Sequence, residues 1–279
     1  MTLSRLYYCY CIVAPGTPAH GALLARVVPG VGDGSPLFAI EAVGLAAAVS
    51  EVPADAFDER ALDRVMKDIE LVGALAVRHS AAIHELFLAG PAVVPLSLGA
   101  VYRGREGVEE LLRRSAPLFG QLLDRFQDRE EWGLKAFGDR AKLEDAAVAE
   151  SSRLRRLAEE VERSTPGKGF FLRRHQARAR DEEAQGFVQR TMTEAFRELA
   201  TVCAEALVDD IPEVAAAEDL TLLFKAAFLV DRSGVDVFRE TANDVQHRLA
   251  RSGIDVQVSG PWAPYSFAKG GEHAVVVAS

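Results

Sequence analysis

The sequence predicts an α+β protein of two domains. Three observations carry the prediction. A run with the character of a buried strand opens the chain, and the second half alternates strand and helix periods in the order β-α-β-β-α-β. Between the halves lies a charged stretch, Asp124 to Glu131, with no apolar stripe. The chain has 279 residues, long for one core and comfortable for two. Hydrophobic residues make up 49% and charged residues 26%, the balance of a soluble globular protein. We place the boundary at residue 128, giving an N-terminal α+β domain (1–128) and a C-terminal domain (129–279).

In the first domain, Leu6 to Val13 is aromatic and β-branched and stops at Pro15-Gly16, which reads as a buried strand. After a Gly/Pro-rich stretch from Pro29 to Pro36, two short strands are expected over Leu37–Glu41 and Leu45–Val52, joined around Gly44. From Asp58, a plausible N-cap, the period changes. Leu62, Val65, Ile69, Val72, Ala76, His79 and Ile83 recur at helical steps until Gly90-Pro91 ends the pattern. Val93–Tyr102 reads as strand and turn. A further helix is expected from Glu106 to about Arg125, kinked or split by Pro117.

The second domain opens with a strand over Trp132–Phe137. A helical crossover follows, with arms over Asp139–Arg163 and Phe171–Val208 and an interruption at Thr165-Pro166-Gly167. Strands are expected at Glu213–Glu218 and Thr221–Val230. A helix capped by Ser233 then runs to Gly253, and a last strand covers Ile254–Val258. This order predicts a ferredoxin-like βαββαβ domain with a long helical-hairpin insertion and helices on one face of the sheet. Ala274–Ala278 can add an edge strand.

Composition excludes several functions. A net charge of −9 disfavours general affinity for nucleic acid or anionic lipid. No run approaches the ~20 apolar residues of a transmembrane helix, and no signal-peptide core follows Met1, so a cytoplasmic protein is expected. Cys9, Cys11 and Cys203 form no disulfide framework. Cys9 and Cys11 would share a strand face, with Cα atoms about 6.5–7 Å apart, at the limit of a disulfide's reach. His79 and His84, five apart, diverge by about 140° on a helix and make no zinc pair. There is no Gly-x-Ser-x-Gly elbow, and Gly167-Lys168-Gly169 reads as a hairpin turn rather than a phosphate loop. No catalytic residue, metal or cofactor is implied.

Two segments remain as candidate interaction sites. Lys168 to Arg180 interleaves Arg173, Arg174, Arg178 and Arg180 with Phe170 and Phe171. Such a mixture suits single-stranded nucleic acid. The overall negative charge favours instead a protein-contacting surface or a solvated helix whose arginines pair with acids of the opposite arm, such as Glu144, Asp145, Glu159, Glu160 and Glu162. The other is Gly260-Pro261-Trp262-Ala263-Pro264-Tyr265-Ser266-Phe267. Its two prolines force an extended path, and its aromatics either cover the exposed sheet or enter a partner's pocket.

This last block resembles the signature of the GvpF/GvpL family of gas vesicle proteins, with Ala263 where a proline is common. Tyr7–Val13, Val94–Tyr102, Glu131–Phe137 and Gly167–Arg174 resemble further blocks of the same family in the same order, with Cys11 replacing a more usual glycine. The resemblance implies a non-enzymatic accessory or minor structural protein of gas vesicle assembly. It implies an N-terminal α+β domain, a ferredoxin-like C-terminal domain, and as partners the hydrophobic shell protein GvpA and other accessory proteins. Trp262, Tyr265, Phe267, Phe170, Phe171, Arg173 and Arg174 are the partner-binding candidates. A nucleic-acid binder acting through residues 168–180 is the alternative.

Overall fold

A computed structural model describes residues 6–32, 35–90, 92–163, 166–209, 216–217, 220–268 and 275–277. In chain order the first elements are β1 (Leu6–Val13), α1 (Pro18–Ala25), β2 (Phe38–Ala42), β3 (Leu45–Val52), α2 (Ala54–Phe57), α3 (Glu59–Lys67) and α4 (Ile69–Ala89). They are followed by β4 (Val93–Pro95), β5 (Val101–Arg103), α5 (Gly104–Phe126) and β6 (Arg129–Gly138). Then come α6 (Arg140–Glu150), α7 (Ser152–Glu162), α8 (Pro166–Ala200), β7 (Glu205–Val208), β8 (Ala216–Ala217) and β9 (Leu220–Asp231). The chain closes with α9 (Val235–Ala250), β10 (Ile254–Trp262), α10 (Tyr265–Ala268) and β11 (Val275–Val277). These elements form a mixed α+β structure with two sheets.

The chain divides into two compact units. The first holds residues 1–131 together with Pro261–Glu272, and the second holds Trp132–Gly260 with His273–Ser279. The segment Pro261–Glu272 thus clusters with the N-terminal unit, although the sequence reading assigned it to the domain that precedes it in the chain.

The first unit is built around β1, which pairs antiparallel with β3 along its length and with β4 and β5 on its other edge. Every residue of β1 is buried, so both faces of the sheet are covered. A bulge shifts the register between Cys9 and Cys11. Leu6, Tyr8 and Tyr10 join the core beneath α1 and α4, and beyond the bulge Cys11 and Val13 take over that role. Cys9 is left out of that core, so the two thiols do not share a face as regular alternation predicted. Burial pushes the Cys9 thiol up to about 12 and Cys11 higher still, so both stay protonated and inert.

Local signals explain most departures from the sequence reading. The unanticipated α1 starts where Thr17 accepts from His20 N–H and Pro18 occupies the first turn. The helix expected from Asp58 is two helices, because Asp68 caps a second one by accepting from the Glu70 and Leu71 amides. Asp58 caps α3 as expected. Likewise Ser151 accepts from Leu154 N–H and divides the first crossover arm into α6 and α7. Pro117 does not split α5; it lies on the exposed side, where water can take the carbonyl it frees.

The second unit has strand order β10-β6-β9-β7-β11, with β8 attached to β9. Trp132, Leu134, Phe228, Val230, Ile254 and Val256 from the sheet pack with Leu143, Phe196, Leu199, Phe238 and Val245 from the helices in one core. Lys135, Asp255 and Gln257 point away and are exposed. Three readings need correction here. The second arm ends at Ala200, and Glu205–Val208 is a strand, because pairing with β9 overrides an apolar stripe that continues at helical spacing. Gly167-Lys168-Gly169 lies inside α8 and is no turn. Ser233 sits within a 3-10 turn, Arg232–Gly234, and Gly234 rather than Ser233 precedes α9. Of the strand expected at Glu213–Glu218, only Ala216–Ala217 falls within the described residues, and the edge strand near the C-terminus is seen as Val275–Val277.

The β2–β3 hairpin closes through Val43 and Gly44, both at positive φ (48° and 76°). That matches the turn such hairpins favour, but valine is a poor residue for it. Val43→Asn should therefore raise stability by about 1 kcal/mol, read as an upward shift of roughly 2–4 °C in thermal unfolding.

Candidate docking surface

Helix α4 has aliphatic residues on two sides, with Glu70, Arg78 and Glu85 exposed among them, and its two faces have different fates. Leu75, His79, Ala82, Ile83, Leu86 and Phe87 enter the core of the first unit. On the opposite side Ile69, Gly73, Val77 and Ala81 follow one another at i+4 spacing, with Leu88 beyond. Ile69 is 85% exposed, Val77 70% and Leu88 61%. By length and apolar character Ile69–Ala89 could cross a membrane, which the sequence reading did not foresee. Its packed inner face is that of a core helix.

The helix is held at this rotation by a polar cluster beneath it. His79 Nε2 lies 3.2 Å from the Leu96 carbonyl and donates to it, which leaves Nδ1 as acceptor for the Tyr8 hydroxyl at 3.0 Å. The Tyr8 hydroxyl in turn accepts from Gly99 N–H at 3.1 Å. Tyr10 stacks on the His79 ring, accepts from Val31 N–H and shares a hydrogen bond with Ser50. Burial holds His79 below the usual histidine range and pushes both tyrosines up, so all three are neutral at pH 7.

The block from Pro261 to Phe267 lies against the same unit. Phe267 is buried beneath Arg125, whose guanidinium sits 5.9 Å from its ring centroid. Ser266 donates from its backbone N–H and its hydroxyl to the two oxygens of the buried Glu131, at 2.8 and 2.7 Å. Ala263 and Tyr265 pack into the core under α4. The Tyr265 hydroxyl is buried with no well-formed hydrogen bond; Ser80 is a nearby polar group. Trp262 alone of the three aromatics stays 43% exposed, 5.6 Å from the His84 ring on α4. Two of the candidates, Tyr265 and Phe267, are thus anchors, while Trp262 extends the exposed apolar face of α4. The block covers the first unit's core and not the sheet it follows, contrary to one of the two uses expected of it.

The remaining candidates lie on α8, in the second unit. Phe170, Arg173 and Arg174 are exposed, and the Phe171 side chain lies outside the described residues. A groove of about 720 Å³ runs beside α8, floored by Leu143, Val188, Met192, Leu223 and Phe224 with Glu144 and Asp181 at its rim. Among the described residues that line it there is no histidine, cysteine, lysine or arginine. Among the described residues no group of three or more His, Cys, Asp or Glu could hold a metal ion.

The geometry defines a mixed α+β protein with two sheets whose most conspicuous feature is an exposed apolar surface. The family model described as gas vesicle synthesis protein GvpL/GvpF matches residues 6–269, and the chain belongs to this family. Gas vesicle protein L of Streptomyces sp. (strain CB03234) is 30% identical over 274 residues, covering 96% of this chain and 94% of the relative. Gas vesicle protein L1 of Halobacterium salinarum is 24% identical over 277 residues, covering 96% and 92%. The crystal structure of GvpF from Anabaena sp. PCC7120 matches with a TM-score of 0.72 at 20% identity, over 95% of this chain and 98% of that one, a likeness of fold.

Two predictions follow from the anchoring. Phe267→Ala should cost about 3 kcal/mol or more in urea unfolding, whereas Trp262→Ala, losing only part of its buried area, should cost about 1 kcal/mol. His79 binds a proton less readily folded than unfolded, so its contribution is complete above about pH 6.5 and declines as pH falls further, by up to about 1.4 kcal/mol per pH unit. Urea midpoints measured between pH 7.5 and 5.5 should show this slope, and His79→Gln should flatten it.

Proposed function

We propose that this protein acts in gas vesicle assembly by covering apolar surface of the shell protein GvpA, with α4 and Trp262 as the contact. The family supports a gas vesicle role. The observation that carries the contact is the exposed ladder Ile69, Gly73, Val77, Ala81 and Leu88 beside Trp262. A soluble chain that leaves several large aliphatic side chains on one helix face has a surface suited to an apolar partner. Gly73 and Ala81 leave that face low enough for a partner helix to approach closely. Tyr265 and Phe267 serve it indirectly, by fixing the segment that carries Trp262.

On this reading the protein is a non-enzymatic escort or minor shell component, located in the cytoplasm and at the vesicle, that also meets other accessory proteins. The second unit is a ferredoxin-like domain with a helical-hairpin insertion; its strand order, with β10 and β6 adjacent and β9 between β6 and β7, supports this. The exposed Phe170, Arg173 and Arg174 on that hairpin are a second contact region.

The test is capture of GvpA on co-expression. Val77→Glu combined with Leu88→Glu, both at exposed positions, should reduce capture at least tenfold while leaving the melting temperature within a few degrees. Trp262→Ala should weaken it to a lesser extent. Undiminished capture by the folded double variant rules the α4 face out.

A further inference from the structure

We propose that the outward face of the first half of α8 is a docking site for a carboxylate-bearing helix of a protein partner. The inference does not depend on the α4 reading, since it rests on other residues and on charge rather than apolar area.

Arg173, Arg174, Arg178 and Arg180 are all exposed, while Leu172 and Gln176 are partly buried and Ala179 is buried. At 100° per residue the four arginines spread over an arc of about 160° opposite that packed side, within about 10 Å of helix. None of the four forms an ion pair or hydrogen bond with another described residue. Of the two uses the sequence left open for these arginines, pairing with acids of the opposite arm is not what the described residues show. In the structure Glu159 pairs with Arg163 on its own helix. Across the arms the polarity is the reverse: Arg153 of α7 reaches Glu182 and Glu183 of α8. The arginines are therefore left for something outside the described chain, in a protein whose net charge is −9.

Arginine presents a planar fork that pairs with carboxylates or phosphates through two parallel hydrogen bonds. Two considerations favour a short acidic helix over a nucleic acid. Asp181, Glu182 and Glu183 follow the arginines directly, and Glu159, Glu160 and Glu162 stand on the neighbouring arm. A nucleic-acid strand carries a charge every ~3.4 Å and continues past a 10 Å face. Beyond that face each further phosphate meets the field of a chain whose net charge is −9. A helix with acids at i, i+4 and i+7 concentrates its charge over the same 10 Å and stops.

The experiment uses the intact protein and three labelled probes: a 16-residue alanine-based helical peptide carrying three glutamates at those spacings, the same peptide with glutamines, and a 16-nucleotide single-stranded RNA. At 50 mM NaCl the glutamate peptide should bind saturably and the glutamine peptide at least tenfold more weakly. A variant with R173Q, R174Q, R178Q and R180Q should lose at least tenfold in affinity for the glutamate peptide. Because all four positions are exposed, its circular dichroism should match the parent; should it not, R173Q/R180Q and R174Q/R178Q made separately replace it, each expected to show a several-fold loss. Absence of saturable binding by the glutamate peptide, or equal binding by the variants, overturns the proposal. Tighter, arginine-dependent binding of the RNA than of the glutamate peptide also overturns it, and makes the face a nucleic-acid site.

Discussion

The hydroxyl of Tyr8 is the constraint on which the first unit depends. It lies in a strand covered on both faces, where an unpaired hydroxyl would cost about 1–3 kcal/mol. Its partners are His79 on α4 and the Gly99 amide in the turn between β4 and β5. One side chain therefore fixes the strand, the helix and the turn to one another, and His79 extends the tie to the Leu96 carbonyl. Tyr10 repeats the arrangement with Val31 and Ser50. Because these bonds are directional, they determine which side of an apolar helix faces inward. Hydrophobic burial alone would not, since α4 has aliphatic residues on both sides.

That indeterminacy explains what was legible in the sequence. Strands β1, β3 and β6 are readable because their composition is locally unambiguous, and the caps at Asp58 and Gly90 are readable because a single residue type carries the signal. Asp68 and Ser151 carry the same signal but sit within continuous apolar stripes, and the stripe hid them. β7 was read as helix because Cys203 and Ala206 prolong the spacing of α8; only its pairing with β9, some twenty residues later, decides otherwise. Where a local pattern and a distant partner disagree, the sequence shows the pattern alone.

The candidate site divides in the same way. Trp262, Tyr265 and Phe267 stand out as a motif because prolines and aromatics are dense there. Their roles separate only through partners more than 130 residues away, Arg125 and Glu131, and through His84 on α4. No periodicity links such positions. The exposed face of α4 was present in the sequence as an apolar helix with alanines and a glycine on one side, but a stripe search reports the buried face and passes over the other. The arginines of α8 were recognised with two uses open, pairing across the arms or contact with a protein, and the sequence could not choose for a related reason. Acids close in sequence to a hairpin turn need not point at the cations of the other arm.

Two surfaces of opposite chemistry thus occur on the two units, and this bears on how an assembly protein can work. The α4 face offers apolar area, whose contribution grows with excluded salts and carries little direction. The α8 face offers fixed charge, which acts at longer range, speeds encounter and fades with ionic strength. A protein that must bind a hydrophobic partner without being trapped by every apolar surface gains from separating the two, since a charged contact can select the partner while the apolar one holds it. On the two proposals above, each surface serves a different stage. Loss of the arginines should slow association more than it speeds release, and loss of the α4 face should do the reverse.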